Sequence, residues 1–465
     1  MLMLRDMRFR HLFSLLMAAQ TLVPATAALS THTPRKNAAI APPSQDPFYA
    51  APSGLEKKSA GTVLAHRRSP SPVFAFGYTP DNIQDSYQVL YRTTDRDDRP
   101  TATVMTVLVP KNANFSSVLS FQLAENAVII DCAPSYAITA ASRDDPLFNS
   151  LTAQLQVLLI QAALADGWVV VVPDFQGPRA AFADMKIAGQ AILDGLRASL
   201  RSESFTGVSE TAVVALWGYS AGAAVTKFAA EMQPKYANEL DLVGVAFGGV
   251  GQPSLDAVKK MNRSPHAGLL PPALIGVGLE NPEFQMVLDL TLKREFKEKF
   301  YAPLHQCLDA NIKTFANADV LGMFHCLDLC VLPALALVQT KSLRLSSPVP
   351  RAPVYWYQEV HDDVAPVNGT DAAVQDYCKR GARVHYQKDD AVGIGHLGYG
   401  IIGAPNALGW LKGMRDGKQP DAECVTETVT VSELPESFLN IFPASIRPLL
   451  VASLINNKSG KKVMK

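Results

Sequence analysis

The sequence predicts an α/β protein, with a mostly parallel central sheet, helices on both faces and a helical insertion late in the chain. Three observations carry this reading. Strand-like and helix-like runs alternate from about residue 86 onward, the pattern of parallel strands joined by helical crossovers. The run Trp168-Val169-Val170-Val171-Val172 has no polar alternation, as expected of a central strand covered on both sides. Between residues 252 and 349 the alternation stops, and the pattern becomes helical, broken by Pro and Gly, and conspicuously apolar.

Taken in order, the chain opens with Arg5, Arg8 and Arg10, then the apolar run Leu12 to Val23, then Ala25-Thr26-Ala27. This is the layout of a secretory signal peptide over residues 1–27, too short to span a bilayer. No other apolar run is long enough to cross one, so a secreted protein without a transmembrane anchor is expected. Residues 28–80, rich in Pro, Ser, Ala and basic residues, read as an extended N-terminal lead. Strand-like runs follow at 88–93, 104–109 and 117–123, then a helical pattern from Leu151 to Asp166 ahead of the Trp168 strand. A helix is expected over Ala180 to Leu200 and a strand at Leu242 to Phe247. After the insertion, strands are expected at Val354–Tyr357 and Arg383–Tyr386, with a helical pattern after His396. The catalytic domain is set at 81–425. The tail, 426–465, holds an amphipathic segment from Phe438 to Ile455, read as packing or a flap, and a basic end.

Lys plus Arg and Asp plus Glu balance at 43 each, so no field of one sign argues for nucleic acid or a charged partner. Six cysteines, at 132, 307, 326, 330, 378 and 424, are an even count that suits disulfides in an oxidising compartment. Cys326 and Cys330 have no second pair or His at zinc spacing, so no metal site is expected. Sequons at Asn114, Asn262, Asn368 and Asn457 fit a glycosylated protein, with Asn262 disfavoured by Pro265.

The chemistry centres on Gly218-Tyr219-Ser220-Ala221-Gly222. An apolar β-prone run precedes this G-x-S-x-G pentapeptide and a small-residue helical pattern follows it, which is the context a nucleophile elbow requires. The glycines let strand and helix pass closely around a strained turn. A Ser hydroxyl needs a His base oriented by a carboxylate, expected in the chain order Ser, acid, His. Asp362 and Asp363, after the Val354–Tyr357 strand, are both candidates for the acid. His396, in the Gly-flanked stretch Gly393 to Gly398, has the best setting for the base, ahead of His361 and His385. An oxyanion hole needs two backbone N–H donors. Ala221 supplies one, and the segment Ala124-Glu125-Asn126-Ala127 is placed to supply the other.

These segments, with Ser120 to Asn126, Asp131 to Tyr136, Asp174-Phe175-Gln176-Gly177, Gly189 to Ala198 and Val360 to Pro366, make the chain resemble the secreted fungal lipases of the lipase A type, an α/β-hydrolase family. The likeness runs from about residue 80 to 425. It implies the α/β-hydrolase fold, the triad Ser220–Asp362–His396, a helical cap over the site, and disulfides Cys132–Cys307 and Cys378–Cys424. Cys326 and Cys330 are then either a third bridge or free thiols. At Asn126 the family pattern carries Asp, whose backbone N–H and protonated carboxyl serve the oxyanion hole. An amide donates at any pH, so the departure implies less dependence on acid conditions.

The expected activity is therefore serine ester hydrolysis without a cofactor, by a monomer acting on an apolar ester, with a triacylglycerol at a lipid–water interface as the leading substrate. The apolar insertion also suits a small acyl group on a bulky secondary metabolite such as a trichothecene, which relatives of the family deacetylate. An acyltransferase and a non-catalytic binding module are the remaining alternatives.

Overall fold

Long β-branched runs build one continuous sheet. In chain order its strands are β1 (Val63–Arg68), β2 (Ile83–Thr94), β3 (Pro100–Pro110), β4 (Asn114–Gln122), β5 (Trp168–Pro173), β6 (Val213–Tyr219), β7 (Leu242–Gly248), β8 (Val354–Glu359), β9 (Val384–Asp389) and β10 (Val425–Val429). Their spatial order is β1-β2-β3-β5-β4-β6-β7-β8-β9-β10. The first three strands pair antiparallel, and every pairing from β5 to β10 is parallel. The computed structural model describes residues 40–251, 255–343, 349–421, 423–431 and 433–455. The leader at 1–27, the Asn457 sequon and the basic end lie outside the described residues.

Helices cover both faces, as unbroken apolar strands require. Helix α1 (Leu151–Ala165) is capped by Ser150, whose side chain accepts the Ala153 N–H at 3.1 Å. Helix α2 (Met185–Leu200) starts later than the apolar pattern suggests, because Ala180 and Ala183 adopt positive φ and Asp184 caps the helix. Helix α3 (Ala221–Tyr236) leaves the end of β6 directly. The insertion folds as α4 (Leu255–Met261), α5 (Leu270–Glu280), α6 (Pro282–Thr291), α7 (Leu308–Phe315) and α8 (Leu332–Leu343). The chain then returns through α9 (Val367–Lys379), α10 (Gly395–Ile402), α11 (Ala404–Arg415) and α12 (Arg447–Ile455). One apolar core joins α1, α10, α11 and the tail residues Phe438, Phe442, Ile446 and Leu450 to one face of the sheet. A second joins α2, α3 and α9 to the other. Each Val or Leu so buried contributes about 1.5–3 kcal/mol.

Two stretches depart from expectation. Part of the lead is folded. Val63–Arg68 pairs with β2 as one edge of the sheet, and Leu55 packs with Leu90, Ala102 and Val104. The charged His66-Arg67-Arg68 end conceals this strand, and such charge is what an edge strand tolerates. Val425–Val429, which runs across the boundary into the tail, forms the other edge, in parallel register with β9 and directly after the Cys378–Cys424 disulfide.

The insertion has its own apolar core, which includes Val128 and packs against Phe182 from the loops below it. A disulfide joins Cys132 to Cys307, and the Asp309 carboxylate accepts the Leu151 N–H at 2.5 Å. The third bridge, Cys326–Cys330, closes a short loop within the insertion. Replacing Cys132 and Cys307 together by Ser should lower the unfolding free energy by roughly 2–5 kcal/mol. Urea denaturation with the other bridges intact checks this, and an unchanged midpoint would show that the cap is held by packing alone.

Candidate active site

Parallel register sets the site. Gln122 at the end of β4 pairs with Gly218 of β6, and Tyr219 pairs with Gly248 of β7. The loops after β4 and β6 therefore leave the sheet side by side at its carboxyl edge, where open α/β sheets bind ligands. Between β6 and α3 the chain turns within one residue, Ser220, at φ 57° and ψ −124°. That conformation is costly for a non-glycine residue. It is enforced by crowding: a Cβ on Gly222 would lie 2.0 Å from the Gln122 carbonyl oxygen, and one on Gly218 would lie 2.4 Å from Thr226 Oγ1.

The turn aims the hydroxyl outward. Ser220 makes no side-chain bond to the first turn of α3, and its Oγ lies 2.7 Å from His396 Nε2. His396 Nδ1 lies 2.8 and 3.0 Å from the two oxygens of Asp362. Asp362 is fixed in turn by the N–H groups of Val364 (2.8 Å) and Ala365 (2.7 Å) and by Gln358 Nε2 (3.1 Å). Burial disfavours the imidazolium, but the Asp362 carboxylate outweighs it and holds the His396 pKa above its usual value. A hydroxyl, an imidazole and a carboxylate in this relay can transfer the hydroxyl's proton to the ring as the oxygen attacks a carbonyl.

The structure thus brings Ser220, Asp362 and His396 together, although His396 stands in the first turn of α10 rather than in a loop. Asp363 does not reach Nδ1. Its Oδ1 accepts the backbone N–H of His396 at 3.1 Å, and its Oδ2 meets His266 of the insertion at 3.0 Å. His361 is exposed, and His385 sits away from the site between Asp421 and Glu427. Ala221 opens α3, where first-turn N–H groups lack helical partners. Asn126 is buried at φ 48° in the loop after β4, and its Oδ1 has no hydrogen-bond partner among the described residues. Among the sequons, Asn114 and Asn368 are exposed. The Asn262 amide donates to Asp319 Oδ1 at 2.7 Å, so its nitrogen is already committed.

Several neighbours escape a motif-based reading. Tyr219 OH donates to the His396 carbonyl oxygen at 2.7 Å. Glu359, fully buried at the end of β8, accepts the Gly395 N–H at 3.0 Å through Oε1 while Oε2 has no partner among the described residues. Burial pushes its pKa up to about 7, opposed by the Gly395 N–H and assisted by the Asp362 and Asp363 charges. Burial also pushes Glu125, beside Asn126, well above the usual carboxylate range. The signal for Glu359 was an acid closing an apolar parallel strand; His266 carried none.

Comparison with known proteins agrees with this architecture. The sequence pattern of a family described as secretory lipase matches residues 143–422. The chain is 39% identical over 407 residues to lipase A of Arthroderma benhamiae, covering 87% of this chain and 86% of that protein. It is 32% identical over 431 residues to lipase 4 of Candida albicans, covering 89% and 91%. The crystal structure of Candida antarctica lipase A in its closed state superposes with a TM-score of 0.75 at 27% identity, covering 91% of this chain and 96% of that one. The α/β-hydrolase fold is thereby shown.

One expectation follows from the site's electrostatics. The Glu359 charge favours the protonated imidazole of His396, so Glu359→Gln should let His396 lose its proton at a lower pH than in wild type. An NMR titration of the His396 ring checks this; a midpoint that stays or rises contradicts it.

Proposed function

The chain belongs to the secretory lipase family and is a carboxylic ester hydrolase; on that premise we propose that it cleaves acylglycerol esters through an acyl-enzyme on Ser220. The observation that carries the reading is the unbroken relay from Ser220 Oγ to His396 Nε2 at 2.7 Å and from His396 Nδ1 to Asp362 at 2.8 Å. His396 takes the Ser220 proton as Oγ bonds to the ester carbonyl carbon. Its imidazolium then protonates the leaving alcohol. Water repeats the sequence on the acyl-enzyme, releasing the acid and restoring Ser220. The backbone N–H groups of Ala221 and Asn126 receive the oxyanion.

The cap, residues 252–349 of a catalytic unit spanning 81–425, supplies the apolar wall of the acyl pocket in this reading. Secretion is supported by the three disulfides, which suit an oxidising compartment. Asn114 and Asn368 are the glycan positions their exposure favours.

Ser220→Ala should reduce kcat by about 10,000-fold or more while the protein stays folded. A series of esters from acetate to oleate, assayed with both proteins, tests substrate class at the same time. Residual turnover by the variant near wild type overturns the mechanism, and a preference for acetate overturns the acylglycerol assignment in favour of a deacetylating esterase. The Asn126 side chain gives a second test. In Asn126→Asp the new carboxyl donates only when protonated, so kcat/KM relative to wild type should fall as pH rises. Profiles that differ by a constant factor at every pH would remove the side chain from the oxyanion hole.

A further inference from the structure

The turn that presents His396 is held at three backbone points. Glu359 accepts the Gly395 N–H at 3.0 Å, Asp363 accepts the His396 N–H at 3.1 Å, and Tyr219 OH donates to the His396 carbonyl at 2.7 Å. Glu359 closes β8 and Tyr219 closes β6, so these two anchors belong to the sheet. Asp363 differs. Its second oxygen lies 3.0 Å from Nε2 of His266, a residue of the insertion 97 positions earlier in the chain.

His266 stands on a rigid part of the cap. Its N–H donates to Ser264 Oγ at 3.0 Å. Two residues on, Gly268 is pressed so closely on α7 that a Cβ there would lie 2.5 Å from the Asn311 carbonyl oxygen. Helix α7 begins just after Cys307, whose disulfide to Cys132 reaches the segment that follows Asn126. One cap unit is therefore tied to the loop carrying Asn126 on one side and to the His396 turn on the other.

We propose that Asp363 is a positioning residue that couples the cap to the catalytic base, one carboxylate oxygen holding the His396 N–H and the other engaging His266. The inference rests on the reading of Ser220, Asp362 and His396 as the triad. Nε2 must stay within hydrogen-bond reach of Ser220 through the reaction, and small misplacements of such a group are expensive in rate. Asp363 is about half exposed (49%), so its contact with the His266 ring is screened by solvent and contributes little to stability. Its charge is nonetheless secured. Partial desolvation pushes the carboxyl pKa up, but the His266 ring and the His396 N–H outweigh it and hold the group well below the usual range. A contact that adds little stability yet joins a cap to a catalytic base acts on the position of the base.

The test uses the full chain and a soluble short-chain p-nitrophenyl ester, with kcat, KM and urea midpoints measured for His266→Ala, His266→Gln, Asp363→Ala and the His266→Ala/Asp363→Ala pair. His266→Ala and Asp363→Ala should each lower kcat about 5-fold or more with KM little changed, and the pair should lose no more than the worse single variant. His266→Gln, which keeps an N–H donor near the Nε2 position, should restore most of the loss, with urea midpoints unchanged throughout. Wild-type kcat in both single variants, losses that multiply in the pair, or a Gln variant no better than Ala overturns the coupling. His266→Ala leaves the Asp363–His396 bond in place, so the coupling stays testable even where Asp363→Ala misfolds. Ser220→Ala assayed alongside separates the two readings. Its turnover sinks the triad itself, whereas an inert Ser220→Ala beside fully active His266 variants sinks only the coupling.

Discussion

The closeness of three backbones at one point governs this molecule. The end of β4, the turn at Ser220 and the first turn of α3 approach until a single methyl group at Gly222 would collide with the Gln122 carbonyl. That crowding is what keeps Ser220 at a positive φ, because no relaxed turn would fit the same space. It also lays the loop bearing Asn126 beside the elbow, as parallel register already demands. The Ser220 hydroxyl and the backbone N–H groups proposed as oxyanion donors are thus placed by main-chain packing.

A second organising feature is the distribution of negative charge at the end of β8. Gln358, Glu359, Asp362 and Asp363 lie within six residues, and each has a different task. Gln358 braces Asp362, Asp362 orients the imidazole, and Glu359 and Asp363 take successive backbone N–H groups of the turn beneath it. Their environments differ accordingly. Burial raises the Glu359 pKa, and one of its oxygens has no partner among the described residues, while the ring of His266 beside Asp363 favours that group's charged form. The acids crowded around this one histidine are therefore not equivalent: burial and the neighbouring carboxylates raise Glu359, whereas Asp363 is lowered.

Much of this was legible in the residues. The apolar β5 run, the G-x-S-x-G turn and the order Ser, acid, His are local patterns imposed by steric and covalent rules, and they led to the mixed sheet and the assembled relay. What was not legible depended on contacts between distant segments. Val63–Arg68 reads as a charged lead because an edge strand needs only one pairing neighbour. The late start of α2 follows from backbone angles at Ala180 and Ala183 that no periodicity reveals. Glu359 sits two residues beyond the run recognised as a strand, and His266 acquires its place only through the packing of α7 against Gly268. In the Asp362-Asp363 pair the residues alone offered two candidates, with Asp362 favoured by the family resemblance, and the path of the turn gives the two carboxylates different contacts.

The two edges of the sheet carry a practical consequence. Both are completed by segments outside the unit one would cut from the pattern of core strands: β1 before residue 81 and most of β10 at the boundary of residue 425. A fragment trimmed to those limits would bare a row of main-chain donors and acceptors along β2 and another along β9. It would also lose the Phe438, Phe442 and Ile446 cover over one face of the core. Naked strand margins of that kind recruit other chains. The lead and the tail therefore act as the selvedge of the sheet, and the smallest piece of this protein that stays dispersed in solution is longer than the piece that holds all of its chemistry.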